Sequence, residues 1–457
     1  MSRFALERSA GVLLHPTSLP SGSIDIDGDR WLNWLHAAGF SVWQMLPLCT
    51  PGFGLSPYQC LSAFALNPAH LAQIPPRSSC PKLAAPFAEF KIRQASWLKD
   101  FSLFMAIRHN FYSAPWYEWP KKYKNRDSKT LATFSTHNAE LIEDISWQQF
   151  FTFRQWQLLK AKAHALAIKF FGDMPIFVAH DSADVWANPE LFLLDENKMP
   201  KVVAGVPPDY FSTAGQRWGN PHYNWDKMRQ NSFKWWLARI KHLSALFDIL
   251  RIDHFRGLSE VWAIESNCET AVTGSWVEIP GRELLQAIQE MGGEIELVAE
   301  DLGIITEKVK RLRQDFCLPG MTVLQFGFEG GEDNPHHPHN LAQDMVVYTG
   351  THDNDTLGGW YDSLSAKKKT QVDSELDADG KQAVLDKLKQ IAFSSKSYRA
   401  ILPLQDILDL PGSSRMNTPG TLENNWQWRF AWQDIPDELA AKLKTQLIKH
   451  GRCQNGQ

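Results

Sequence analysis

The sequence predicts a (β/α)8 TIM barrel with helical and loop insertions between its barrel strands, and three observations lead there. Eight short apolar, β-branched runs alternate with helix-like stretches, the signature of a parallel sheet built from βα units. Three of these runs lead directly into an acid: Asp253 after Asp248–Ile252, Glu300 after Ile295–Ala299, and Asp353 after Met345–His352. At 457 residues the chain is too long for one simple core yet suits a single barrel with insertions, so residues 1–457 are read as one barrel domain.

The expected strands are Val12 to His15, Ser41 to Leu48, Met174 to Val178, Ile249 to His254, Ile295 to Glu300, Thr322 to Phe328, Met345 to Thr349 and Ile401 to Leu404. Between the second and third lies an insert over 70–145, rich in Pro, Lys and aromatic residues and without a strand pattern, which predicts a helical subdomain. Ser146, followed three residues later by Gln149, reads as a capping box. It would open a helix with Phe150, Leu158, Ala161, Ala165 and Ile168 on one face, returning the chain to the third strand. Residues 203–226, dense in Gly, Pro and aromatics, are expected to form a long loop that covers a substrate. No internal repeat or low-complexity tract interrupts this order.

Composition excludes several functions. A hydrophobic content of 44%, a charged content of 21% and a net charge of -4 describe a globular chain with no basic field for nucleic acid or an anionic membrane. No stretch reaches the eighteen or so apolar residues of a membrane helix, and the start has no apolar signal core, so the expected location is the cytoplasm. Six cysteines without a C-x-x-C pair predict free thiols rather than a zinc site or disulfide framework. His336, His337 and His339 are split by Pro338 and lack a carboxylate or thiol at ligand spacing, so no metal is assigned to them. No phosphate-cradling glycine motif and no EF-hand loop occur, and no cofactor is predicted. The 19 tryptophans stand out, because flat apolar ring faces suit the C–H faces of sugars, although most will be core.

Acids at the carboxyl ends of barrel strands read as catalytic, since an ionisable group at the end of a buried strand is costly unless paired or used. Asp253 and Glu300 fall on consecutive strands, which run about 4.8 Å apart in a sheet. Retaining glycosidases need their two carboxyl groups about 5 to 5.5 Å apart, and inverting ones about 6.5 to 9.5 Å. Adjacency therefore favours retention, although side chains can splay. In that scheme Asp253 is the nucleophile and Glu300 the acid/base, with burial raising the Glu300 carboxyl. Arg251, two residues before Asp253, shares its strand face and would keep it ionised. Asp353 would act from across the barrel mouth on sugar hydroxyls, with His254 and His352 as hydroxyl partners.

These residues form motifs. Arg-Ile-Asp-His-Phe-Arg-Gly (251–257), Ala-Glu-Asp-Leu-Gly (299–303) and Gly-Thr-His-Asp-Asn-Asp-Thr (350–356) resemble the three catalytic motifs of the 4-α-glucanotransferases of glycoside hydrolase family 77. Further matches run nearly end to end: 13–20, Ser-Pro-Tyr-Gln at 56–59, 179–191, Gly-Gln-Arg-Trp-Gly-Asn-Pro at 215–221, 415–421 and 425–429. The resemblance implies a retaining double displacement without a cofactor. It also implies maltooligosaccharides or starch- or glycogen-derived α-1,4-glucans as donors, with a second glucan or glucose as acceptor. It makes Asp253 the nucleophile, Glu300 the acid/base and Asp353 the transition-state stabiliser. Tyr58, Asp173, Arg251, His254, His352 and Asn417 match the donor side, and Gln216 and Trp218 the loop over the acceptor side.

Three departures from the family pattern bear on chain-length preference. Gly52-Phe53-Gly54-Leu55 replaces Gly-Tyr-Gly-Asp, Leu258 and Val261 interrupt an aromatic-rich run, and the insert after Pro68 is short. Two other readings stand beside this one, a hydrolase that uses the same three acids and an idle glycan-binding or regulatory protein that retains only the fold. An amylase-like hydrolase would differ in resolving the glycosyl-enzyme with water, and a catalytically idle glycan-binding protein would survive loss of Asp253.

Overall fold

In the computed structural model, residues 7–52, 54–208, 213–293, 295–421 and 423–453 are described. Twelve strands occur among them: β1 (Ser9–Leu13), β2 (Val42–Gln44), β3 (Lys169–Met174), β4 (Val202–Val206), β5 (Gln216–Pro221), β6 (Ile249–Ile252), β7 (Glu260–Glu265), β8 (Ser275–Glu278), β9 (Glu296–Ala299), β10 (Gly320–Val323), β11 (Met345–Tyr348) and β12 (Arg399–Pro403). Eight run parallel in the order β10-β11-β12-β1-β2-β3-β6-β9. The two ends of this sheet meet where the Ala299 N–H donates to the Pro319 carbonyl at 2.8 Å and the Met321 N–H to Asp301 Oδ1 at 2.8 Å. Gly320 makes that seam possible, because a Cβ there would stand 2.5 Å from Asp301 Oδ2. The chain is a TIM barrel.

Period-two alternation sets the interior. Leu13, Val42, Phe171, Ile249, Val298, Met321, Val346 and Ile401 pack into one buried cluster. Below it Arg399 pairs with Glu296 at 2.8 Å, and the Tyr398 hydroxyl donates to the same carboxylate at 2.9 Å, so the polar floor is internally satisfied. Two residues further along β6 and β9 the same inward parity delivers Arg251, then Asp253, and beyond β9, Glu300.

Several strand bounds differ from the sequence expectation, each for a local reason. The third strand is Lys169–Met174 rather than Met174–Val178, because Pro175 has no N–H for a ladder. Ile176, Phe177 and Val178 are buried all the same, so burial rather than strand geometry accounts for their apolar run. This shift moves Asp173 into the strand. The run expected as the sixth strand becomes β10 followed by a 3-10 turn over Leu324–Phe328. The second strand stops at Gln44 rather than Leu48, and β1 and β12 start three and two residues earlier than expected.

The insert between β2 and β3 carries helices Ala84–Arg93, Ala95–Asn110, Lys121–Lys124 and Ser128–His137. The return helix spans Ala139–Ala165, so Ser146 is not its cap. Its hydroxyl donates instead to the Ile142 carbonyl at 2.9 Å and lies 2.9 Å from Ser102 Oγ, tying two helices together. Residues 203–226, expected as a loop, hold most of β4 and all of β5, and Trp225 opens a short helix. These strands join β7 and β8 in an antiparallel sheet of order β5-β4-β7-β8. Asp209–Ser212 in that segment, and Phe53 of the tight loop, lie outside the described residues.

Candidate active site

β6 and β9 pair in parallel with Ile252 opposite Ala299, so Asp253 and Glu300 leave neighbouring strands in register. The ladder continues one step beyond the strands: the Asp253 N–H donates to the Met174 carbonyl and the Glu300 N–H to the Ile252 carbonyl, both at 3.0 Å. Backbone hydrogen bonds therefore fix where both carboxyl groups start. Asp353 follows β11, three strands round the barrel from β6, and its side chain is half exposed.

Arg251, 5% exposed, lies between two carboxylates. Its Nη2 is 2.8 Å from Asp253 Oδ1 and its Nη1 is 2.5 Å from Oδ2 of the buried Asp173. The Tyr58 hydroxyl donates to Asp173 Oδ2 at 2.7 Å and lies 2.8 Å from His352 Nε2. The Tyr58 and His352 rings stack at 5.2 Å. His352 Nε2 is 3.4 Å from Asp353 Oδ2, and Asn417 Nδ2 donates to Asp353 Oδ1 at 2.6 Å. Six of the residues singled out in the sequence, Asp253, Arg251, Asp173, Tyr58, His352 and Asp353, thus form one continuous polar chain, with Asn417 at its end.

Glu300 is held differently. Both carboxylate oxygens accept backbone N–H groups, Oε2 from His254 at 2.6 Å and Oε1 from Leu302 at 2.9 Å. Burial pushes its carboxyl up to about 7, with the nearby Asp253 adding and Arg251 and the two N–H groups opposing. At Asp353 the balance is reversed. Partial loss of water in the cleft favours the neutral acid there, but His352, the Asn417 amide and Arg251 together hold it well below the usual carboxylate range. Burial lowers the His352 imidazole while Asp353 raises it, and Asp353 prevails. His254, in left-handed conformation at φ 51°, is held down at about 4 by burial and is neutral near pH 7. Its ring meets Trp218 edge-on at 4.9 Å. The Trp218 indole in turn donates to Gln216 Oε1 at 3.1 Å.

Four further residues complete the surroundings. Arg415 donates to the Asp353 carbonyl at 2.8 Å, and Trp426 lies 6.1 Å from the Tyr58 ring and 6.0 Å from His352. Asp406, 1% exposed, accepts from Thr349 Oγ1 at 2.6 Å and from the Leu357 N–H at 2.8 Å, bridging both ends of the loop that carries His352 and Asp353. His15 is buried near His352, against His70 at 5.5 Å. Arg415 and Trp426 fall in motifs already visible in the sequence, and their motif membership was the available signal. Asp406 has none, because its role depends on which loop packs beside it. Among the described residues no group of three or more His, Cys, Asp or Glu is arranged to hold a metal, and no helix is long and apolar enough to cross a membrane.

Comparisons agree along nearly the whole chain. The 4-alpha-glucanotransferase family model matches residues 14–75 and 76–434. The 4-alpha-glucanotransferase of Thermus thermophilus is 42% identical, with 96% of this chain and 98% of that protein covered. That of Synechocystis is 40% identical, covering 98% of each. Among solved structures, the amylomaltase from Streptococcus agalactiae in complex with acarbose superposes with a TM-score of 0.92 at 33% identity, covering 98% of this chain and 100% of that one. With three acids at the mouth of a parallel barrel and these relatives spanning it, the chain belongs to the 4-α-glucanotransferases of glycoside hydrolase family 77, enzymes that transfer glucan segments.

Proposed function

We propose that Asp253 is the nucleophile, Glu300 the general acid/base and Asp353 the transition-state stabiliser of a retaining transfer of α-1,4-glucan segments. One observation carries the assignment: two carboxyl groups in register on adjacent strands have opposite surroundings. Glu300 is buried and holds its proton to about pH 7, while Asp253 is partly open to the cleft and oriented by Arg251 at 2.8 Å. In the first step Glu300 gives its proton to the departing glycosidic oxygen as an Asp253 oxygen bonds to the anomeric carbon. The Glu300 carboxylate left behind is stabilised by the His254 and Leu302 N–H groups. In the second step it takes the proton of the acceptor 4-hydroxyl, that oxygen attacks the anomeric carbon, and Asp253 is released. Asp353, anchored by Asn417 and His352, binds sugar hydroxyls in the distorted ring.

Tyr58, Asp173, Arg251, His254, His352 and Asn417 are assigned to the donor side, and Gln216 and Trp218 to the acceptor side, where glucose or a second glucan enters. Trp218, packed on the ring of the His254 whose N–H holds Glu300, supports sugar rather than water as the second reactant. The cytoplasm is the proposed working compartment. The test is incubation with maltotriose alone. Glucose with a ladder of longer maltooligosaccharides and no gain in reducing ends is expected, and Asp253→Asn should abolish it. Rising reducing ends without a ladder would favour hydrolysis, and an active Asp253→Asn would overturn the nucleophile.

A further inference from the structure

The ladder between β4 and β5 is irregular at one place. Val203 pairs with Pro221 and Gly205 with Arg217, so the single residue Ala204 faces three, Trp218, Gly219 and Asn220. Gly219 takes φ +82° in open space, the left-handed turn that such a bulge requires. A bulge re-aims the side chain it carries, and here that side chain is the Trp218 indole, edge-on to His254, whose N–H holds Glu300. The ladder alone leaves this stretch without regular pairing. Gln59 supplies the missing support: its Nε2 donates to the Trp218 carbonyl at 3.2 Å and to Oδ1 of the buried Asn220 at 3.0 Å.

The backbone that presents Gln59 is itself fixed. Its N–H donates to the Ser56 carbonyl at 3.1 Å and its carbonyl accepts from Gly52 at 2.7 Å. The preceding residue is Tyr58, whose hydroxyl reaches Asp173 and His352. One short turn thus braces both walls of the cleft through neighbouring side chains. We infer that Gln59 is a positioning residue that sets the choice between sugar and water as acceptor, by holding the bulge that aims Trp218 at the acceptor side. This rests on the reading of Trp218 as an acceptor-side residue. Releasing the bulge would let the indole drift, weakening acceptor binding while leaving water access, so hydrolysis should rise relative to transfer. The first displacement, which needs no acceptor, should be spared.

The experiment compares Gln59→Met, of similar size without donors, with Gln59→Glu, which sets carboxylate oxygens against two acceptors. Each is made alone and with Trp218→Ala in the full chain. The readouts are the hydrolysis-to-transfer ratio on maltotriose, the KM for glucose as acceptor, and fluoride release from α-maltotriosyl fluoride for the first step. A lower yield of folded enzyme lowers both products together and leaves the ratio alone. Expected is a rise in the ratio and in acceptor KM of about three- to tenfold, the span of one neutral hydrogen bond, with fluoride release per folded site close to that of the unaltered enzyme. The Trp218→Ala enzyme should shift in the same direction, and adding Gln59→Met to it should change nothing further. An unchanged ratio in both Gln59 variants, with Trp218→Ala shifted, would overturn the role of Gln59. An unchanged Trp218→Ala would instead overturn the acceptor-side reading of Trp218.

Discussion

Glu300→Gln should change the sign of its effect on stability with pH. In the folded chain the Glu300 carboxyl rises from 4.5 to about 7, chiefly through burial. Such a group stabilises the fold fully below its unfolded value. That contribution is lost as pH rises from about 4.5 through about 7, because the folded state keeps a proton that the unfolded chain has released. The displacement corresponds to about 3 kcal/mol between the two forms, of which about 2 to 3 kcal/mol falls between pH 5 and pH 8. Glutamine cannot ionise and avoids that loss, but its NH2 must face either the His254 or the Leu302 N–H, a penalty of about 1 to 3 kcal/mol. The penalty is the same at both pH values, so it cancels in the difference. Calorimetric Tm of the enzyme and the variant at pH 5 and pH 8 isolates the proton-linked part. The variant should gain on the parent as pH rises, while its transfer activity collapses at both. A Tm difference independent of pH would refute the assignment of a proton-holding Glu300.

The same carboxyl predicts that kcat/KM for maltotriose falls above about pH 7, where the general acid of the free enzyme ionises, and a plateau to pH 9 would contradict it. Tyr58→Phe removes the hydroxyl between Asp173 and His352. A hydrogen bond to a charged group contributes about 1.5 to 3 kcal/mol, so initial rates on maltotriose should show kcat/KM lower by roughly 10- to 100-fold. Asp406→Asn replaces one of two acceptors at the roots of the His352–Asp353 loop with a donor. Stability in urea should fall by about 1 to 3 kcal/mol, with kcat lower for correctly folded enzyme, and an unchanged kcat would mean that the clamp does not reach Asp353.

How much of this was legible beforehand depended on the range of the cause. The three acids were legible because each follows a buried β-branched run, and the inward parity that joins Arg251 to Asp253 follows from a period of two within one strand. Apolarity alone sets the third strand too late, because Ile176–Val178 is as apolar as a strand, and only the missing N–H of Pro175 separates them. Ser146 satisfies a capping pattern inside a long helix, where its hydroxyl has a different partner, so a local motif was overruled by packing against Ser102. The β4–β5 pair looks like loop in the sequence because glycines and prolines serve bulges as well as turns: Gly205 is there because a Cβ would lie 2.1 Å from the Gln216 carbonyl. Asp406 and Gln59 act on segments far along the chain, and nothing in their own neighbourhoods encodes that.

The wiring of the three acids separates two tasks. Asp253, Arg251, Asp173, Tyr58, His352 and Asp353 form an unbroken polar chain, so the proposed nucleophile and the proposed stabiliser are fixed relative to each other across the mouth of the barrel. Every link depends on a charge or tautomer, and a proton arriving at or leaving any member would disturb its neighbours. Glu300, which as the proposed acid/base gains and loses a proton in every turnover, lies outside that chain and is gripped by two backbone N–H groups, which cannot titrate. Its charge reaches Asp253 and Arg251 through space, but no hydrogen bond has to be remade when it changes state. The moving proton therefore sits on the acid whose supports are insensitive to it. The geometry that aligns Asp253 with the sugar can then stay fixed through both displacements, which a transferase requires while it waits for a second sugar.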